Sequence, residues 1–247
     1  MTPFFDDIAD IYDETRGLPN ETMNHVVKVL VDQLQDHNPV LEIGVGTGRL
    51  AKPLQKEGIE VLGIDISEIM LKKALEKDLA NLILGDCCAL PFKGSSIDSI
   101  ISVHVLHLLE DYNIALSEIA KVGKRNLISI LYKKTGFSVR EEFREAVSSC
   151  GYNLKMPGFG EQGLKDMVPP KSIVPIESFK DNFLIKERIK FLEDRKHSYT
   201  EKIPEEIHKS AIDYLLEKHE NDLDSYPVSE IEVVVWDIAD LKGFTAL

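Results

Sequence analysis

Three glycines alternate within Leu41-Glu-Ile-Gly-Val-Gly-Thr-Gly-Arg, at positions 44, 46 and 48. Glycine takes positive φ without steric cost, and its missing Cβ lets a ligand lie directly against the backbone. Two acids follow short apolar runs: Asp65 closes Ile59-Glu-Val-Leu-Gly-Ile, and Asp86 comes just after Leu82-Ile-Leu. A carboxylate at the end of a second strand is placed to accept hydrogen bonds from both hydroxyls of a ribose. Asp86 can accept from an adenine amino group. One Asp after a strand is ordinarily a helix cap or a turn residue; two of them beside one glycine turn point to a nucleoside site. His104 and His107 flank another apolar run, and His104 reads either as a base that removes a proton from an oxygen or nitrogen nucleophile or as a residue packed under the N-terminal segment. His107 reads as a residue that helps to end the strand. Cys87 and Cys88 are adjacent and belong to no C-x-x-C, so they read as packing behind Asp86 rather than as metal ligands.

These side chains need a scaffold that carries distant segments to one edge. Met23, Val26, Val27, Leu30, Val31 and Leu34 recur at helical spacing and predict an amphipathic helix over 20–36. Pro39-Val-Leu-Glu-Ile is a buried strand that stops at the glycines. A helix is expected from Thr47 to a C-terminal cap at Gly58. Ile59–Ile64 is a second strand, and Ser67 caps a helix bearing Met70, Leu71, Ala74 and Leu75. Strands over 82–84, 97–103 and 126–132 follow, with a helix over 111–122 before the last. Strand and helix alternating in this way imply right-handed βαβ crossovers and a parallel sheet covered on both faces. Ligands of such sheets bind outside the strand C-termini, where Gly44, Asp65 and Asp86 all fall.

The second half reads differently. A helix over 138–150 precedes GYNLKMPGFGEQG, which reads as loop. Ser172-Ile-Val-Pro-Ile-Glu-Ser-Phe is a strand that Pro175 restricts to an edge or bulge. Charged helices over 181–196 and 204–221 lead to the β-prone Glu230-Ile-Glu-Val-Val-Val-Trp-Asp, so the end is expected to be a closing hairpin with a helical insertion. Arg195-Lys-His-Ser-Tyr, between those helices, reads either as a solvated helix end or as a pocket wall.

VLEIGVGTGRL, GIDISEIML, LGDCCALPF and IDSIISVHVLHLLED, in that order and spacing, resemble the successive signatures of class I S-adenosylmethionine-dependent methyltransferases. The resemblance covers about 38–132. FFDDIADIYDETRGLP is similar to the N-terminal lid of the small-molecule members. The resemblance implies a three-layer α/β, Rossmann-like fold with a seven-stranded, mostly parallel sheet of order 3-2-1-4-5-7-6, its last strand antiparallel. It implies a single domain, 1–247, made of a lid and helix (1–36), a cofactor-binding core (38–132) and a C-terminal half (133–247) whose insertion, about 181–227, serves the substrate. Gly44 and Gly46 would line the methionine portion of S-adenosylmethionine, and Gly48 would let the helix pack on the sheet. Glu42 would hold the loop or reach the amino group through water. Asp65 would take the ribose, Ile66 and Met70 would sandwich adenine, and Asp86 with the Cys87 N–H would bind its edge. Val103 would offer backbone near the methionyl amine, while Tyr12 and Arg16 would close over the carboxylate end. Asp13 and Glu14 read as surface partners of Arg16.

Composition narrows the acceptor. The 247-residue chain carries 29 Lys and Arg against 42 Asp and Glu, a formal net charge of −13. Nucleic acid and anionic membranes call for clustered positive charge, so neither is expected as partner. No Asn/Asp-Pro-Pro-Tyr/Phe follows the fourth strand, which disfavours methylation of base amino groups. A small-molecule acceptor is expected, and the sequence implies no oligomeric state. No apolar run approaches the roughly 18–20 residues that span a bilayer. The acidic start and three cysteines point to a reducing, cytoplasmic setting. Two other functions compete. One is an NAD(P)-dependent oxidoreductase, which would carry G-x-G-x-x-G rather than the G-x-G-x-G seen here, although Tyr214 and Lys218 form a Tyr-x-x-x-Lys pair. The other is a non-catalytic S-adenosylmethionine-binding module that serves a partner chain.

Overall fold

The computed structural model describes residues 9, 12–133, 138–154, 160–197 and 199–245. Residues 4–8, 10 and 11 of the segment read as a lid lie outside them. The first apolar runs fold as β1 (Val40–Ile43), β2 (Val61–Asp65), β3 (Leu82–Leu84) and β4 (Ile97–Ser102), paired in parallel. β1 and β4 are buried at every position, as central strands covered on both faces must be. β5 (Gly123–Tyr132) continues the sheet beside β4. With β6 (Ser172–Pro175) and β9 (Ile231–Asp237) the order is β3-β2-β1-β4-β5-β9-β6, six strands parallel and the last antiparallel. That is the expected order, with β9 as the seventh strand. Pro175 lies on the edge strand, where its missing N–H breaks no ladder.

Helices cover the sheet: α1 (Tyr12–Arg16), α2 (Asn20–Leu34), α3 (Ala51–Lys56), α4 (Glu68–Glu76) and α5 (Tyr112–Val122). Leu41, Ile43, Ile100 and Leu127 of the sheet pack with Leu116 and Ile119 of α5 and with Trp236 of β9. Trp236 satisfies its buried Nε1–H on the Val168 carbonyl, at 3.0 Å.

Two elements differ from the sequence reading. The helix expected from Thr47 forms only from Ala51, because the positive φ angles of Gly44, Gly46 and Gly48 hold the chain in a turn up to that point. The stretch read as loop contains α7 (Glu161–Met167), anchored by the fully buried Leu164. Glycine and proline around it mask a helix too short to show a period.

The chain divides into two compact units, residues 1–131, 157–176 and 231–247 in the first, and 132–156 and 177–230 in the second. The first also contains α10 (Ile238–Thr245), which follows β9. The expected insertion thus belongs to a unit that also includes α6 (Val139–Ser149). α6, α8 (Ile185–Glu193) and α9 (Glu205–Lys218) share a core of Phe143, Val147, Ile189, Leu192, Ile212 and Leu215. A ribbon of β7 (Phe179–Lys180) and β8 (Val228–Ser229) closes it. Among the described residues, no helix is long and apolar enough to cross a membrane.

Candidate active site

Strand register brings the distant segments to one level. Ile43 pairs with both Ile64 and Ser102, so Gly44, Asp65 and Val103 leave β1, β2 and β4 side by side. Asp65 pairs in turn with Leu84, which places Asp86 two residues beyond the same edge.

The glycines divide by what a side chain would meet. A Cβ on Gly44 would lie 2.4 Å from Cγ2 of Val105, and one on Gly48 would lie 2.5 Å from Cδ2 of Leu79. Those two positions are filled by the protein itself. At Gly46, with φ of +55°, the nearest atom would be the Gly44 carbonyl oxygen at 4.0 Å. Gly46 alone of the three turns an open face outward.

Asp65 ties this turn to the next one. Its Oδ2 accepts the Gly46 N–H at 2.7 Å and its Oδ1 the Ser67 N–H at 2.9 Å. Ser67 caps α4 as expected, accepting from the Met70 N–H at 3.1 Å. Ile66 is 63% exposed beside Asp65. Met70, only 2% exposed, is buried on α4 with Leu71 and Ala74. The side chain level with Asp65 is the exposed Leu84 of β3.

Asp86 is exposed and accepts the Cys88 N–H on Oδ1 at 2.8 Å, a turn that presents the following backbone. Asp86 O, Cys87 S and Cys88 S lie within 4.8 Å of one another. Burial, reinforced by Cys88 and Asp86, pushes the Cys87 thiol up to about 12, and burial also raises Cys88. Both thiols keep their protons and pack against the core beside Leu90 and Ile83.

Glu42 is 5% exposed at the foot of the turn, and its Oε2 meets no hydrogen-bond partner. Burial pushes its carboxyl up to about 8; the Arg49 charge and the Ala51 N–H pull it down, and Asp65 pushes it further up. The N-terminal segment reaches the same turn. Asp13 accepts from the Thr47 hydroxyl and the Lys77 ammonium, instead of serving Arg16 at the surface. Arg49 lies 5.2 Å over the Tyr12 ring and donates to the Arg16 carbonyl. Glu14's side chain lies outside the described residues. The sequence reading missed Thr47, Arg49 and Lys77, although the first two stand inside the glycine motif.

Past Val103, His104 is exposed with φ of +59°, and its ring stands edge-on to that of His107, 6.3 Å away. The buried carboxylate of Glu161 spans this turn: its Oε1 accepts from Ser102 Oγ (2.9 Å), Val105 N (2.9 Å) and Leu106 N (3.2 Å). No sequence signal marked Glu161.

The residues present suit a cationic nucleoside. Three acidic residues stand at this edge, Glu42 and Asp65 at the turn with one open backbone face and Asp86 beyond β3, and one buried oxygen of Glu42 lacks a partner. Residues 41–130 match the family described as "Methyltransferase domain". An uncharacterized methyltransferase of Geobacillus sp. is 34% identical over 155 residues, 59% of this chain and 72% of that one. The chain belongs to the class I S-adenosylmethionine-dependent methyltransferases. Demethylmenaquinone methyltransferase of Corynebacterium glutamicum is 29% identical over half of this chain and 55% of its own length. Most of these curated relatives are matched over only about half of their length. In fold, the chain is similar to a possible histamine N-methyltransferase of Thermotoga maritima, with a TM-score of 0.55 at 19% identity, covering 96% of this chain and 99% of the other.

The methyltransferase uses S-adenosylmethionine, and its glycines yield a direct test. Gly46→Ala should cost roughly 1–2 kcal/mol of stability through the left-handed backbone alone, yet abolish measurable S-adenosylmethionine binding in titration calorimetry. Gly44→Ala should instead destabilise the fold by several kcal/mol, of order 3, through overlap with Val105 added to the same strain. Equal behaviour of the two variants would overturn this division. The family match displaces the oxidoreductase alternative, and Lys218 of its Tyr-x-x-x-Lys pair is bound to Glu142 at 2.7 Å. Arg195 donates to the Thr200 carbonyl and, at 2.9 Å, to Glu205, stapling the start of α9. His197 of the same cluster is buried, and Ser198 lies outside the described residues.

Proposed function

We propose that this methyltransferase methylates a small-molecule acceptor at the rim where Gly46, Asp65, Asp86 and Val103 meet. The observation that carries the proposal is the register that sets Gly44, Asp65 and Val103 at one level, with the open face of Gly46 between them. In this reading Gly46 lines the methionyl chain with its open face and Gly44 with its backbone alone, and Glu42 holds the loop or reaches the ammonium through water. Asp65 binds the ribose, Ile66 covers one face of adenine, and Asp86 with the Cys87 N–H reads the adenine edge. Val103 faces the amine, while Tyr12 and Arg16 close the carboxylate end.

The bound cofactor supplies an electrophilic methyl on a sulfonium that departs as a neutral thioether. The chain's own task is alignment and exclusion of water, a contribution that can reach roughly 7–11 kcal/mol for well-oriented reactants. His104, exposed beside Val103, takes the proton of an acceptor oxygen or nitrogen. The net charge of −13 weighs against nucleic acid as acceptor. The relative from Corynebacterium is named for a small molecule, demethylmenaquinone. The three free cysteines fit a reducing cytoplasm.

A metabolite screen scored by S-adenosylhomocysteine formation tests the function. Turnover with a small molecule is expected; binding of S-adenosylmethionine without turnover on any pool would favour a non-catalytic module. With an acceptor in hand, His104→Ala should lower turnover by about 100-fold or more if His104 is the base. Full turnover would end that role.

A further inference from the structure

Glu161 stands outside the segment that matches the methyltransferase family, and yet it grips the turn at the centre of the site. It is 3% exposed at the start of α7, which the core anchors through Leu164. Among the described residues its hydrogen-bond partners are a hydroxyl and two backbone N–H groups, all on one oxygen. Ser102 precedes Val103 and His104, while Val105 and Leu106 follow them, so the carboxylate clamps both ends of the exposed pair. His104 is thereby kept at φ of +59°, a conformation a residue with a Cβ rarely adopts unless its neighbours impose it. The same clamp seats Val105 in the space that a Cβ on Gly44 would otherwise occupy. At Gly160, next in the chain, a Cβ would come within 3.2 Å of His107 Cβ, so the connection runs tight against this turn.

We propose that Glu161 is a positioning residue for methyl transfer, holding the Val103–His104 turn against Gly44 so that the cofactor rim is formed before the cofactor arrives. It touches neither reactant. The inference rests on the proposed use of this rim, and it concerns reach rather than charge: what matters is an oxygen placed where three donors converge.

Two substitutions separate reach from charge. Glu161→Asp keeps the anion but withdraws it by one methylene, whereas Glu161→Gln keeps an acceptor oxygen at full reach without the charge. In calorimetric titration with S-adenosylmethionine, Glu161→Asp should bind about tenfold more weakly, while Glu161→Gln stays within about threefold of the parent. Hydrogen exchange without cofactor should show the Val105 and Leu106 amides exchanging faster in Glu161→Asp alone. A purely structural role would lower the melting temperature of both variants and leave the affinity of the folded protein unchanged. Unchanged affinity and exchange in Glu161→Asp, or a loss in Glu161→Gln, overturns the proposal. Failure of the parent to bind S-adenosylmethionine would strike the functional reading instead, and the exchange comparison would still decide the clamp.

Discussion

Glu42→Gln should remove a loss of stability that the parent protein suffers between about pH 5 and about pH 8. Glu42 is buried with Oε2 unpartnered, and its carboxyl titrates at about 8 rather than at 4.5. Below the ordinary value both the folded and the unfolded chain carry the proton, and no cost arises. Between the two values the unfolded chain ionises while the folded one does not, so each pH unit removes about 1.4 kcal/mol of stability. Above the folded value the cost levels off at roughly 4–5 kcal/mol. Glutamine does not titrate, so whatever constant offset the amide introduces, the stability gap between the two proteins should widen in the variant's favour by roughly 3 kcal/mol across that range. Denaturant unfolding at both pH values measures it, and an unchanged gap would mean that Glu42 ionises normally in the fold. The same variant should bind S-adenosylmethionine about tenfold more weakly, since an ammonium beside Glu42 favours loss of its proton and then pairs with the carboxylate, which an amide cannot supply. Stability and affinity then move in opposite directions, which is what a carboxylate retained for its ligand predicts.

The second large effect belongs to Asp65. Both of its oxygens accept from backbone N–H groups, Gly46 on one side and Ser67 on the other. Asparagine has one acceptor and one donor, so no rotation of its amide serves both partners. Asp65→Ala should lower S-adenosylmethionine affinity by about 100-fold or more, and Asp65→Asn by about tenfold. S-adenosylhomocysteine, which shares the ribose, should weaken by the same factors in calorimetry. Affinity unchanged in a folded Asp65→Ala would remove the ribose from this position.

Much of this site was legible because its parts are local. The glycine spacing, the acids that end β2 and follow β3, and the Ser67 cap each depend on residues a few positions apart, and the structure places all of them as read. The burial of Met70 with Leu71 and Ala74 follows the apolar spacing of α4. α7 was missed because seven residues among glycines show no period, although Leu164 is fully buried.

Alternating apolar segments dictate which strands are central and which residues stand at their C-terminal ends, since burial on both faces tolerates little else. The sequence alone therefore determined the sheet, its edge and the family. Tertiary structure decided what meets at that edge. Glu161 finds the turn after β4 from 56 positions away, and Asp13 finds Thr47 and Lys77 from 34 and 64. Val105 decides why Gly44 must be glycine, and burial decides that Glu42 holds its proton. Such encounters carry no local signature: hydrogen bonds and desolvation act between atoms close in space, wherever those atoms stand along the chain.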